Sequence, residues 1–339
     1  MSTPPAVSVI IPLYNAARYV ADALESLLAQ SLKNFEVIVV DDCSTDNSVA
    51  VVESYRERFG GRLKIFSMPT NSGNGGLPRN KGIKLSRGEY VFFVDADDLI
   101  TPTALEELYA PAKNFDADVV YIERHFEACA DLSEIYIAAP PHKNLVTAPT
   151  LESDDLSERV RALIAERFTL ATWSKFVRRD LLIDREIFFP HVKVSEDDIW
   201  TYALIFHARR LLRVPNVVYV WRLSENSSLR TERTPRQTLT LWLDPLVRGI
   251  KILDDFMGGL EFFRRNVQYR CAVLEFFAHT KMARVYGSSL QLPLHEIYTA
   301  VNETFGKSSD GQGVLISWLL TDLIAQQKIF VANQRPNGE

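Results

Sequence analysis

The run at residues 90–98, YVFFVDADD, constrains the fold of this chain more than any other segment. Its first five residues are apolar or aromatic, with the length and β-propensity of a strand buried on both faces. Such strands build parallel sheets whose functional groups lie beyond the carboxyl ends. Asp95, Asp97 and Asp98 stand at that end. Clustered carboxylates repel one another unless a cation compensates them. An all-oxygen ligand set favours Mg²⁺ or Mn²⁺, ions that take one or two protein carboxylates and complete their shell from water and substrate phosphates. The same acids would also serve a solvated turn and helix cap ahead of Thr101-Pro102, so context decides between the two uses.

Upstream, residues 7–12 (VSVIIP) form a second buried-strand run. Leu13-Tyr14-Asn15 follows, then an amphipathic helix with Val20, Ala23, Leu24, Leu27 and Leu28 on one face. A third run, residues 35–40, ends in Asp41-Asp42-Cys43-Ser44-Thr45-Asp46, acids at a strand end that lead into a helix N-cap. A short fourth run at residues 63–66 precedes a Gly-rich loop, residues 71–76 (NSGNGG), and Pro78 then opens a helix carrying Arg79, Asn80 and Lys81. Strands alternating with helices predict an open, doubly wound, mostly parallel α/β layer. Downstream, the spacing predicts helices at residues 102–109, 156–168 and 198–207 and strands at 118–122 and 217–221. Beyond about Thr231 the texture changes to long segments with helical spacing, at residues 239–256, 260–285, 293–305 and 314–331. The expected organisation is an α/β domain at residues 1–230 and a helical C-terminal region at 231–339.

Composition narrows the partners. The chain has 339 residues, 38 basic against 43 acidic, a net charge of −5, which argues against a binder of the nucleic-acid backbone. Cys43, Cys129 and Cys271 lack C-x-x-C spacing, so neither a disulfide framework nor a zinc site is expected. The start, MSTPPAVS, has no charged leader, and residues 7–12 are too short for a signal-peptide core, which gives a cytoplasmic expectation. An apolar stripe of Val314, Leu315, Trp318, Leu319, Leu320, Leu323 and Ile324 is expected to be buried, within one subunit or in a homo-oligomer interface. Phe262-Phe263-Arg264-Arg265 has the composition of a weak peripheral contact with the inner face of the plasma membrane.

Four ordered segments, VSVIIPLYN, EVIVVDDCSTDNS, NSGNGGLPRNKGIKLSRGEYVFFVDADD and VSEDDIW, resemble the family 2 glycosyltransferases of the inverting GT-A fold. Within that family they are similar to bacterial enzymes that add N-acetylglucosamine to wall teichoic acid or related surface polymers. The resemblance covers about residues 7–222 and implies a Rossmann-like catalytic sheet. It also implies a UDP-sugar donor, UDP-GlcNAc being the first to test, a Mn²⁺ or Mg²⁺ cofactor, and a polysaccharide, teichoic acid or other glycan acceptor. By the same resemblance Pro12, Tyr14, Asp42, Asn71 and Arg79 line the nucleotide pocket, Asp95 faces the ribose or a metal-bound water, and Asp97 ligates the metal. Asp197 is the implied catalytic base, with Glu196 beside it. The residue chemistry is compatible: a carboxylate accepts from a uracil imide or a ribose hydroxyl, and Tyr14 can pack on a base face.

Three consecutive acids, Glu196, Asp197 and Asp198, repel, so one of them keeps a raised pKa suited to proton abstraction, and the residues alone leave open which. Capping the helix that follows is the plainer use of the same acids. Ser195 stands where the family commonly has Gly, which puts the loop geometry in question. Arg222 is expected either to reach a phosphate or to sit as an exposed strand-end charge, Ser224 stands where His is common, and Trp173 and Lys175 are similar to a segment under the acceptor cleft. Alternatives are a nucleotide-sugar-binding protein without transferase activity, or a transferase acting on a peptide or small secondary metabolite. A phosphoacceptor receiver domain would end near residue 130, and a dinucleotide-dependent oxidoreductase would carry G-x-G-x-x-G where this chain has Leu13-Tyr14-Asn15-Ala16-Ala17.

Overall fold

The apolar runs form the centre of one eight-stranded sheet. In a computed structural model describing residues 4–138, 145–224, 232–305 and 321–326, β1 (Val7–Leu13), β2 (Phe35–Asp41), β3 (Leu63–Ser67) and β4 (Tyr90–Phe93) pair in parallel, with β1 between β2 and β4. β1, β2 and β4 are buried along nearly their whole length, so both faces of the sheet need cover. Helices α1 (Val20–Leu28) and α2 (Ser48–Ser54) bring Val20, Leu24, Leu27 and Val52 into the shared core. Helix α3 (Gly76–Leu85) lies directly on β1: a Cβ at Gly82 would stand 2.3 Å from Ile10 Cγ2, so only glycine allows this approach.

The chain continues through β5 (Leu99–Ile100), α4 (Ala104–Asn114), β6 (Val119–Ile122), β7 (Phe126–Cys129), β8 (Ile135–Ile137), β9 (Thr150–Leu151) and α5 (Leu156–Ile164). Then come β10 (Lys175–Arg178), α6 (Arg179–Asp184), α7 (Glu196–His207), β11 (Leu211–Val214) and β12 (Tyr219–Leu223). The large sheet has the order β3-β2-β1-β4-β10-β6-β11-β9, and a second sheet has the order β5-β12-β7-β8. One departure from the expected parallel layer is β10, which runs antiparallel to both β4 and β6. Four residues are too few to declare a strand by period, and the chain uses this one to turn the sheet from one parallel set to the next. Helix α5 is shorter than its spacing suggested because Glu166, at φ 53°, turns the backbone left-handed. The described residues divide into two compact units, one of residues 4–138, 145–191 and 197–224, the other of residues 192–196, 232–305 and 321–326.

The second unit is helical. A capping box of Thr234 and Gln237 starts α8 (Pro235–Asp244), and Pro245, which cannot donate within the helix, opens a π-helical turn at Pro245–Gly249. Helices α9 (Ile250–Gly259), α10 (Glu261–Arg265), α11 (Val267–Ser289) and α12 (Leu294–Phe305) follow. Leu239, Leu243, Val285, Ile297, Val301 and Ile324 form its core. Of the apolar stripe expected to be buried, only Leu323 and Ile324 fall among the described residues. Ile324 is buried, whereas Leu323 is 52% exposed, since adjacent helical positions point about 100° apart. Val314, Leu315, Trp318, Leu319 and Leu320 lie outside the described residues. Phe263 is buried, and Phe262 packs on the Phe263 and Tyr269 rings, so the aromatic pair expected at a membrane surface is turned largely into its own unit. Among the described residues no helix is long and apolar enough to cross a membrane.

Candidate active site

Strand β4 delivers its three acids into unlike surroundings. Asp98 is buried, and its carboxylate accepts hydrogen bonds from the Tyr219 hydroxyl at 2.7 Å and from the Arg222 backbone N–H at 2.8 Å. Burial, then the Asp97 and Asp95 charges, push its pKa well up. It ties the turn to β12. Asp97 accepts from Ser224 Oγ at 2.6 Å and is also raised by burial, with the Ser224 hydrogen bond opposing and the Asp95 charge adding. The Tyr219 hydroxyl also accepts from the backbone N–H of Asp95 at 3.1 Å. Tyr219 is a residue the sequence did not single out, because nothing in a strand 124 positions away announces that its hydroxyl pins this turn.

Asp95 faces a cation. Arg79, a buried residue on the first turns of α3, donates from Nη2 to Asp95 Oδ1 at 2.7 Å and pairs through Nη1 with Asp197 Oδ1 at 3.3 Å. One guanidinium therefore joins the acid expected beside the donor to the acid expected as base, and the Phe189 ring lies 5.5 Å from its Cζ. Glu196 opens α7, and Asp197 is the second residue of that helix. Burial pushes the Asp197 carboxyl up and Arg79 pulls it back, while a third of the side chain remains accessible, so solvent moderates both effects. Ser195 sits at φ 68°, the left-handed region that favours glycine. Serine thus takes here a backbone conformation that glycine adopts more readily.

On the other side of β1, Asp42 is buried and acts as an anchor for the Gly-rich loop. Its carboxylate accepts from Ser72 N at 3.0 Å and from Ser72 Oγ at 2.8 Å, while Asn71 Nδ2 donates to the Asp42 carbonyl at 2.9 Å. Asp42 therefore caps no helix; α2 begins after Asn47. Pro12 lies in β1 and Tyr14 just past it, with the Tyr14 ring 51% exposed and open to a flat partner. Asn15, at φ 47°, accepts from Thr45 N at 2.7 Å through its side-chain oxygen and fastens the turn after β1 to the turn after β2.

Arg222 corrects the sequence reading. It is neither an exposed strand-end charge nor turned outward: it is buried, pairs with Asp22 Oδ2 at 2.8 Å and lies 5.1 Å from the centre of the Tyr19 ring. Trp173 stacks on Tyr219 with centroids 4.6 Å apart, behind the Asp95–Asp98 turn. Lys175 is buried at the start of β10, with its ammonium hydrogen-bonded to Thr169 O, Ala171 O and Ser174 Oγ. Burial brings its pKa down to about 7, against the pull of Asp197 and Asp198.

Among the described residues no three His, Cys, Asp or Glu side chains converge as a self-sufficient metal cage. A hard divalent ion that shares its shell with phosphate oxygens needs only one or two protein carboxylates. Asp97, half-buried and hydrogen-bonded to Ser224, together with Asp95 supplies the one or two hard carboxylate oxygens such an ion would need.

Residues 8–137 match the family model for glycosyl transferase family 2. Over 217 residues the chain is 32% identical to the poly(ribitol-phosphate) beta-N-acetylglucosaminyltransferase TarS of Staphylococcus aureus, an alignment covering 63% of this chain and 35% of the relative. The chain thus spans about a third of the length of that relative. The crystal structure of S. aureus TarS 1-349 in complex with UDP-GlcNAc superimposes with a TM-score of 0.65 at 27% identity, covering 87% of this chain and 80% of that one. The mannosyltransferase PcManGT from Pyrobaculum calidifontis, in complex with GDP-Man and Mn²⁺, shares the fold at a TM-score of 0.50 and 18% identity, covering 99% of this chain and 89% of that one. The expected GT-A architecture with a helical C-terminal region is thus the observed one.

Proposed function

We propose that this chain, which belongs to the family 2 glycosyl transferases, transfers a sugar from a nucleotide diphosphate to a hydroxyl of a bacterial surface polymer, with inversion. The first donor to test is UDP-GlcNAc, the ligand named for the TarS structure, and the first acceptor class is a teichoic-acid-like polyol phosphate, the polymer named for the TarS relative. The observation that carries the reading is the Arg79 bridge, because it gathers one acid from the end of β4 and one from the start of α7 around a single guanidinium.

The chemistry divides among named residues. Tyr14 offers a ring face to the base, while Asp42 and Asn71 hold the loop that frames the nucleotide. Asp97, with Asp95, would hold a Mg²⁺ or Mn²⁺ ion, which when bound supplies positive charge to the departing diphosphate. The acceptor oxygen forms its bond to the anomeric carbon as the bond from that carbon to the diphosphate oxygen breaks, and the electron pair leaves with the nucleotide. Asp197 takes the hydroxyl proton, and its upward-pushed pKa improves it as a base. One base on the acceptor side and a single in-line displacement invert the anomeric centre.

In the helical unit, Lys193, Arg233 and Arg236 share with Glu232, Gln237 and Thr240 a cavity of about 500 Å³, which supports an anionic acceptor. The test is a donor screen of nucleotide sugars with Mn²⁺, with and without poly(ribitol phosphate), following release of nucleoside diphosphate. UDP release from UDP-GlcNAc that rises with the polymer supports the reading, and no release from any donor defeats it.

A further inference from the structure

Gly75 precedes α3 at φ −73° and ψ −10°, a helical conformation that any residue adopts without strain. Backbone freedom therefore does not explain a glycine here. Space does. A Cβ added at Gly75 would stand 2.8 Å from Arg79 Nη1, 3.0 Å from Cζ and 3.2 Å from Nη2, so its nearest neighbours are all atoms of the guanidinium that bridges Asp95 and Asp197. With the Phe189 ring also close to that guanidinium, the bare glycine leaves the room in which the charged head can reach both carboxylates. We propose that Gly75 is a positioning residue of the active site: by lacking a side chain it lets Arg79 hold the donor-side and base-side acids in one geometry.

The inference rests on the proposed transferase reading of the same site. It differs from a loop-flexibility role in a way that can be measured, because the clash falls on the far end of a flexible side chain. Gly75→Ala should fold, since its φ and ψ are open to alanine, while the guanidinium is displaced. A misplacement of about 1 Å can cost on the order of 10²-fold in rate.

The experiment is a double-mutant cycle of Gly75→Ala and Arg79→Ala, with Gly75→Ser as a second way of adding the same Cβ. It reads kcat/KM for UDP-GlcNAc and, separately, UDP affinity by calorimetry in Mn²⁺. The expected result is a loss of about 10²-fold in kcat/KM for Gly75→Ala, an unchanged melting temperature, and no further loss when the alanine is added to Arg79→Ala. Additive losses, or a Gly75→Ala enzyme with wild-type constants, overturn the proposal while leaving the transferase reading standing. If the wild-type protein neither binds UDP nor releases it from a donor, that reading fails, and a crystal structure of Gly75→Ala decides the inference. A guanidinium moved off both carboxylates supports it, and one still bridging them overturns it.

Discussion

Two strand ends in the same sheet carry acids, and they use them differently. After β2, Asp41 accepts from the backbone of Ser44 at 3.0 Å and Asp42 from the backbone and hydroxyl of Ser72. All of these donors are neutral, and the product is an ordered loop. After β4, Asp95 meets the Arg79 cation, while Asp97 and Asp98 accept, among the described residues, from the neutral donors Ser224 Oγ, the Tyr219 hydroxyl and the Arg222 N–H. The difference teaches that a run of acids is read by what faces it. Asp42 and Asp98, each held by neutral donors, serve the scaffold, whereas Asp95 is set against a cation that also reaches Asp197.

The comparison is tested hardest at the acid across the guanidinium. Asp197→Asn should lower kcat by about 10² to 10⁴-fold, the usual worth of a general base, with UDP affinity nearly unchanged in calorimetry. Full activity in that variant, with loss on Asp198→Asn, would move the base by one residue. Next comes Asp97→Ala, expected to remove the Mn²⁺-dependent part of UDP binding. Equal affinity with Mn²⁺ and with EDTA in the variant, against a difference in the wild type, is the supporting result, and a retained Mn²⁺ effect goes against it. Asp98→Ala should instead cost stability, about 1–3 kcal/mol in urea unfolding, because the Tyr219 hydroxyl and the Arg222 N–H lose a buried acceptor. If it cost activity alone, the split between scaffold acids and reactive acids would not run through this turn.

The smallest effect concerns pH. Glu36, in β2, is pushed up by burial, but hydrogen bonds from Lys64, Ser8 and Arg87 more than offset this and hold its pKa below the ordinary 4.5. The folded state therefore binds this proton less readily than the unfolded chain does. Its contribution to stability is complete above about pH 4.5 and is lost as pH falls through the lower folded value. Glu36→Gln should flatten that part of the acid-side decline in the melting temperature, and an unchanged pH profile would count against the assignment.

Much of this was legible in the residues. The buried runs of β1, β2 and β4 are long and apolar enough to declare themselves, and the acids that follow them stand where parallel strands end. What the sequence could not carry is convergence. Arg79 and Asp197 are 118 positions apart, and their meeting depends on the antiparallel insertion of β10 beside β4, a four-residue strand with no period to read. Arg222 misled for a related reason: a charge at a strand end reads as solvated until the chain supplies Asp22, 200 positions away, as its partner. Ser195 showed as a departure from a family pattern, yet only the backbone angle reveals that the serine stands in the left-handed conformation glycine favours.

The contact between Gly82 and Ile10 bears on how this chain can drift. With 2.3 Å between a would-be Cβ and the isoleucine branch, a methyl at 82 is admitted only if position 10 gives up volume. Arg79 lies on the same helix, one turn before Gly82, and inherits its distance from the sheet through that pair. A side chain gained at 82 alone would push the helix, and the guanidinium with it, off the sheet without touching any residue of the reaction, and a smaller residue at 10 would make room for it.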